Sequence, residues 1–202
     1  MESIKLLYID DDIDTTLSDY LDSELSKSIA LDGIKLVYSE LTFVPSNGYT
    51  SLLTNYEVSS ANIILIDSRL FEERAASGGK FTGEEFKIIL RKFFPFIEVI
   101  VITQNGADDS VRTLSKYSHK CGKTAFEYYN DTLPKCIEEA VEQNRIYRNL
   151  AKRLNENDSW EPVLKEKVIG ALEGKGTYDE LTKSDIDELV KAFAEIMEKC
   201  DE

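Results

Sequence analysis

The chain has 202 residues, room for one ordinary domain with an appendage or for two small domains. Its 42% hydrophobic content supports a real core, and a formal charge of −14 with no offsetting Lys/Arg cluster argues against direct binding of DNA or RNA. A single histidine, His119, and three cysteines without a CxxC spacing argue against a His-based triad, a zinc site and a disulfide framework. A reducing cytoplasm is the expected setting. No apolar run approaches membrane-spanning length, and a strand begins too near the N-terminus to leave room for a signal peptide.

Residues 4–9, apolar but for Lys5, predict the first strand, and Asp10, Asp11 and Asp12 follow at its C-terminal end. Asp14-Thr15-Thr16 supplies capping side chains for a helix in which Leu17, Tyr20, Leu21 and Leu25 recur at helical spacing. Residues 34–38 predict a second strand that extends toward Phe43. Pro45-Ser46-Asn47-Gly48 marks a turn, and a short helix follows over residues 49–57. The third strand, residues 62–66, runs straight into Asp67. Its continuous apolar, β-branched character marks a strand buried on both faces. The stretch from Ser68 to Thr82 is long for a strand-to-helix connection. Thr82-Gly83-Glu84-Glu85 then opens a helix with Phe86, Ile89, Leu90 and Phe93 on one face. Residues 97–102 predict the fourth strand, which leads to Thr103. Asp108-Asp109-Ser110 predicts a helix with Val111, Leu114 and Tyr117 inward, ending near Gly122. Residues 124–129 predict a weaker, aromatic fifth strand carrying Phe126, Tyr128 and Tyr129.

Asn130-Asp131-Thr132 is the expected cap of the next helix. There Leu133, Ile137, Ala140, Asn144, Tyr147, Ala151 and Leu154 alternate spacings of four and three, the seam of a coiled coil. Two arrangements fit this seam. One is a homodimer through the long helix, with Asn144 fixing register; the other is folding back on the chain's own C-terminal segment. Asn155-Glu156-Asn157-Asp158-Ser159 breaks the helix. One further helix is expected after Trp160-Glu161-Pro162, with Val163, Leu164, Val168, Ile169 and Leu172. Another is capped by Ser184, with Ile186, Leu189, Val190, Phe193, Ile196 and Met197. The chain thus divides into an α/β domain over residues 1–142 and a helical extension over residues 143–202.

Strands alternating with helices predict a doubly wound, five-stranded parallel sheet of flavodoxin-like order 2-1-3-4-5. In that order the first and third strands meet at the topological switch point, and Asp10, Asp11 and Asp67 converge. Carboxylates packed together repel one another and call for a cation. Acidic oxygen ligands with waters completing the shell suit Mg²⁺, which restores the ionised form of each acid. A carboxylate beside Mg²⁺ is equipped to attack a phosphoryl group, because positioning and charge neutralisation carry that transfer. Thr103, at the end of the neighbouring strand, is placed to donate its hydroxyl to a phosphoryl oxygen.

Over residues 3–142 the chain resembles the receiver domain of bacterial two-component response regulators. The resemblance rests on Leu7-Tyr8-Ile9-Asp10-Asp11-Asp12, Ile64-Leu65-Ile66-Asp67, Thr82-Gly83, Ile100-Val101-Ile102-Thr103, and Gly122 followed by Phe126. It implies that Asp67 accepts a phosphoryl group from a histidine kinase or phosphotransfer protein. It also implies that Asp10, Asp11, Asp67 and the main-chain carbonyl of Arg69 hold Mg²⁺, that Thr103 contacts the phosphoryl group, and that Phe126 is the switch aromatic. The family carries a Lys at the end of strand five. Counted from Gly122, that place falls on Tyr129 or Asn130, and Lys120, Lys123 and Lys135 lie in other elements, so this ammonium is expected to be missing. Arg69 is the candidate replacement cation.

Three readings follow. The first is a phosphorylatable receiver, not a turnover enzyme, that signals to a downstream protein through its C-terminal helices. The second is a degenerate receiver acting only as a protein-binding module. The third is an Asp-nucleophile phosphohydrolase of the haloacid dehalogenase kind, built on Asp12-Ile13-Asp14-Thr15-Thr16-Leu17 with Thr103 as its second motif. This last reading leaves Asp67 without a role. Residues 156–202 carry more acids than bases, so the expected output is a protein contact, with no nucleic acid and no membrane.

Overall fold

In a computed structural model of the chain, which describes residues 2–29, 33–71, 82–104, 113–156 and 162–172, Ile63-Ile64-Leu65-Ile66 forms the heart of the central strand. Five strands, β1 (Glu2–Asp10), β2 (Ile34–Thr42), β3 (Ile63–Asp67), β4 (Glu98–Thr103) and β5 (Thr113–Ser115), lie in the order β2-β1-β3-β4-β5. Every neighbouring pair is parallel, and Leu6 to Ile9 pair with Ile63 to Ile66 at the switch point. All five residues of β3 and all six of β4 are buried, as expected for strands covered on both faces.

Helices cover both sides. On one face, α3 (Thr50–Leu53), α4 (Tyr56–Ser60) and α5 (Gly83–Phe93) pack Leu52, Val58, Phe86, Ile89 and Leu90 against Leu7, Ile9, Ile64, Ile66, Val99 and Val101. On the other, α1 (Thr15–Ser23), α2 (Leu25–Ser28) and α6 (Ala125–Glu156) pack Leu17, Tyr20, Leu21, Leu25, Leu133 and Ile137 against Ile4, Leu6, Tyr8, Ile63, Leu65, Ile100 and Ile102. Each such buried side chain contributes about 2 kcal/mol. The expected helix over residues 49–57 is divided between α3 and α4, because Asn55 accepts the Glu57 N–H and starts a new helix there.

The largest departure from the sequence reading concerns the fifth strand. β5 is Thr113-Leu114-Ser115, inside the segment expected to be a helix, and a single 3₁₀ turn follows over His119–Cys121. Residues 108–112, the start of that expected helix, lie outside the described residues. Residues 124–129 do not form a strand. Thr124 and Glu127 make a reciprocal capping pair: the Glu127 carboxylate accepts the Thr124 N–H at 2.8 Å, and the Glu127 N–H donates to Thr124 Oγ1 at 3.3 Å. Gly122, at φ +73°, closes the preceding turn in the left-handed region that glycine tolerates. α6 therefore starts at Ala125 and runs unbroken for 32 residues, with Pro134 in its interior. Pro134 has no N–H to donate to the previous turn, and Asn130-Asp131-Thr132, expected as a helix cap, lies within α6.

The expected seam of α6 is spent within the chain. Leu133, Ile137 and Ala140 join the core, and the Asn144 amide donates to Asn62 O at 3.2 Å and Ala140 O at 3.1 Å. Arg148 Nη2 reaches Ser3 O at 3.0 Å, and Tyr147 OH donates to Glu98 Oε1 at 3.3 Å. α7 (Pro162–Leu172) packs against α6. The helix expected from Ser184 lies outside the described residues. Among the described residues no helix is long and apolar enough to cross a membrane.

Candidate functional site

Side chains alternate across a strand, so Tyr8 and Asp10 share a face, as do Leu65 and Asp67. Asp10 closes β1 and Asp67 closes β3, which puts both carboxylates at the carboxyl edge of the sheet, beside the switch point. Asp11 follows on the loop. Asp10, Asp11 and Asp67 each present an oxygen within 4.8 Å of the others. Asp10 and Asp67 are buried, and Asp11 is half-buried. Burial pushes the Asp11 carboxyl above its ordinary value, and the contact with Asp10 and the charges of Asp10 and Asp67 push the same way.

A fourth group completes the cluster, and the sequence reading did not name it. Lys116, the first residue past β5, places Nζ 2.7 Å from Asp67 Oδ1 and 2.9 Å from Asp10 Oδ2. The expectation that the strand-five lysine is missing is thus corrected. A lysine does stand at the end of the observed fifth strand. Burial alone lowers the affinity of the Lys116 amine for its proton. Hydrogen bonds to Asp67 and Asp10 and their negative charges outweigh this, and the ammonium ends above its ordinary value. The position was legible only from β5, and β5 is three residues long.

The backbone around Lys116 is gripped on both sides. Its own N–H donates to Thr103 O at 2.6 Å, continuing the β4–β5 ladder. Tyr128 OH donates to Ser115 O at 3.0 Å, and Tyr129 OH accepts the Tyr117 N–H at 3.1 Å. Burial pushes the Tyr129 phenol up to about 12, so it stays protonated at neutral pH. These two tyrosines, expected on a strand, act from the first turns of α6.

The other expected site residues fall as follows. The Arg69 N–H donates to Asp67 Oδ2 at 2.7 Å, so the chain turns tightly after β3 beside the acid cluster. Thr103 is buried at the end of β4, one residue past the Asp67–Ile102 pair. Phe126 is not on a strand. It lies in the first turn of α6, 41% exposed, with its ring edge-on to Tyr20 at 5.9 Å. Asp14 accepts the N–H groups of Thr16 and Leu17 and so caps α1, while Asp12 is exposed. Gly83 is required by close approach: its N–H donates to Ser68 O at 2.8 Å, and a Cβ there would lie 2.6 Å from Asp67 O. The capping box of Thr82 and Glu85 starts α5 at that point.

Chemically, three converging carboxylates match the hard oxygen donors that a divalent cation takes, and Lys116 offsets only one of their charges. The donor set fits a metal ion. A scan against protein-family models and a search of curated proteins found no match to this chain.

Proposed function

We propose that the chain is a phosphoacceptor receiver of a phosphorelay, in which Asp67 takes a phosphoryl group in the presence of Mg²⁺. The observation that carries this reading is the Lys116 ammonium bridging Asp67 and Asp10 at the switch point of a 2-1-3-4-5 sheet. Asp10, Asp11, Asp67 and the main-chain carbonyl of Arg69 would hold Mg²⁺, which supplies positive charge to the transferring phosphoryl oxygens when bound. A carboxylate oxygen of Asp67 forms the new P–O bond as the P–N bond to the donor histidine breaks. The bonding pair leaves with the imidazole. Lys116 stays charged and offsets the negative charge gathered on the phosphoryl oxygens. Thr103 contributes its hydroxyl from the end of β4. The donor is a histidine kinase or phosphotransfer protein, and the output is a protein contact made by α6 and α7.

The degenerate reading drew its support from a missing lysine, and Lys116 removes that support. The phosphohydrolase reading is disfavoured because Asp14 is spent on capping α1 and Asp67 belongs to the acid cluster. The test is intact mass after incubation with acetyl phosphate and Mg²⁺. A single phosphoryl adduct that is absent in Asp67→Asn is the expected result. No adduct on the wild-type chain, or sustained turnover of a phosphate ester, would overturn the reading.

A further inference from the structure

Asp10 is held by a residue that belongs neither to the acids nor to the lysine. Its Oδ2 accepts two strong donors, Tyr8 OH at 2.5 Å and Lys116 Nζ at 2.9 Å. Its Oδ1 accepts the Asp12 N–H at 3.3 Å, and Asp11 lies in contact with the same carboxylate. Tyr8 is 0% exposed, in the core layer with Leu17 and Tyr129, so its phenol has no water to turn to. The same phenol oxygen accepts the Asp14 N–H at 3.4 Å, which ties it to the start of α1. The carboxylate is therefore locked with Oδ2 held by two close donors, and Oδ1, which holds one long N–H contact, is the oxygen left for an ion.

We propose that Tyr8 is a positioning residue that makes Asp10 a one-oxygen ligand and so sets the cation site's preference for Mg²⁺ over Ca²⁺. Mg²⁺ takes six oxygens in tight octahedral geometry and accepts single carboxylate oxygens. Ca²⁺ takes six to eight, often with both oxygens of one carboxylate. With Oδ2 filled by the phenol and the ammonium, Asp10 lacks the second oxygen that this mode requires. Lys116 alone does not impose this, because its long flexible stem is shared with Asp67. The Tyr8 ring stands two residues earlier on the same strand and is fully buried. Partners of this kind typically change metal affinity by about ten- to a hundredfold when removed.

The inference rests on the cation site of the proposed function, and the test separates the two. The full chain and Tyr8→Phe are titrated by calorimetry with Mg²⁺ and, separately, with Ca²⁺, alongside thermal unfolding of the ion-free proteins. In Tyr8→Phe the affinity for Mg²⁺ is expected to fall about tenfold or more, and that for Ca²⁺ to fall less or to rise, so the Mg²⁺/Ca²⁺ ratio drops. A purely structural role would lower the unfolding temperature and leave the ratio unchanged. An unchanged ratio overturns the role of Tyr8 and leaves the cation site standing. A wild-type chain that binds neither ion overturns both. If Tyr8→Phe does not fold, Tyr8→Met, which fills the core without a donor, carries the same comparison.

Discussion

Lys116 decides the chemistry at the scale of single residues. Its ammonium is 12% exposed and sits between two carboxylates that are 3% and 7% exposed. Removing one partner of a buried ion pair typically costs about 3 kcal/mol or more, because the remaining charge is left uncompensated. Lys116→Ala is expected to lose that much stability in chelator, measured by urea unfolding. Mg²⁺ at a hundredfold excess over its Kd should return about 2.7 kcal/mol. Asp11 has the opposite sign. Its carboxyl is raised in the folded chain, so its contribution to stability is fully present below the ordinary carboxylate range and is lost as pH rises through the raised value. In the absence of divalent ions, Asp11→Asn should therefore stabilise the protein at neutral pH, by about 1 kcal/mol. It should show no such gain at pH values where Asp11 is already protonated. Melting temperatures of both proteins across pH 3–8 check this, and Mg²⁺ affinity of the wild type should weaken as pH falls through the same interval.

At the scale of elements, the segments differ in how plainly their pattern speaks. β1, β3 and β4 each carry a run of at least four apolar residues and end on the side chain that matters, so Asp10, Asp67 and Thr103 could be placed from sequence. β5 could not, because three residues carry no period, and Val111, Leu114 and Tyr117 imitate a helical stripe. Residues 124–129 misled for a related reason: aromatics favour strands, yet they sit in the first turns of α6. The Thr124-x-x-Glu127 capping box was the local signal for a helix start there. Gly83 was legible as a helix opening, but not as the point where α5 meets the Asp67 carbonyl. Gly83→Ala forces α5 away from that carbonyl and should cost about 1–3 kcal/mol by chemical denaturation. It should also lower the yield of the Asp67 adduct, whereas an overpacked site remote from Asp67 would change stability alone.

At the scale of the whole molecule, the sheet order and the two helical layers followed from alternation of strand and helix, while the course of α6 did not. Its seam read equally as dimer or as intramolecular packing, and the groups that take up Asn144 and Arg148, on Asn62 and Ser3, are distant in sequence. The charge of −14 also acts at this scale. An anionic phosphodonor approaches against the field of the whole chain, and the Debye length shortens from about 30 Å at 0.01 M salt to about 8 Å at 0.15 M. Phosphorylation by acetyl phosphate at fixed, saturating Mg²⁺ is accordingly expected to speed up with added salt over that range, as read by adduct formation against time.

α6 is fastened at two levels. Tyr128 and Tyr129 hold it to the peptides flanking Lys116 at one edge of the sheet, and Asn144 and Arg148 hold it to Asn62 and Ser3 at the other. At 1.5 Å per residue these moorings are about 24 Å apart. A strut moored at both ends, with Leu133, Ile137 and Ala140 buried between the moorings, can neither tilt nor roll without tearing one of them loose. The helix therefore holds these two edges of the sheet at a fixed separation.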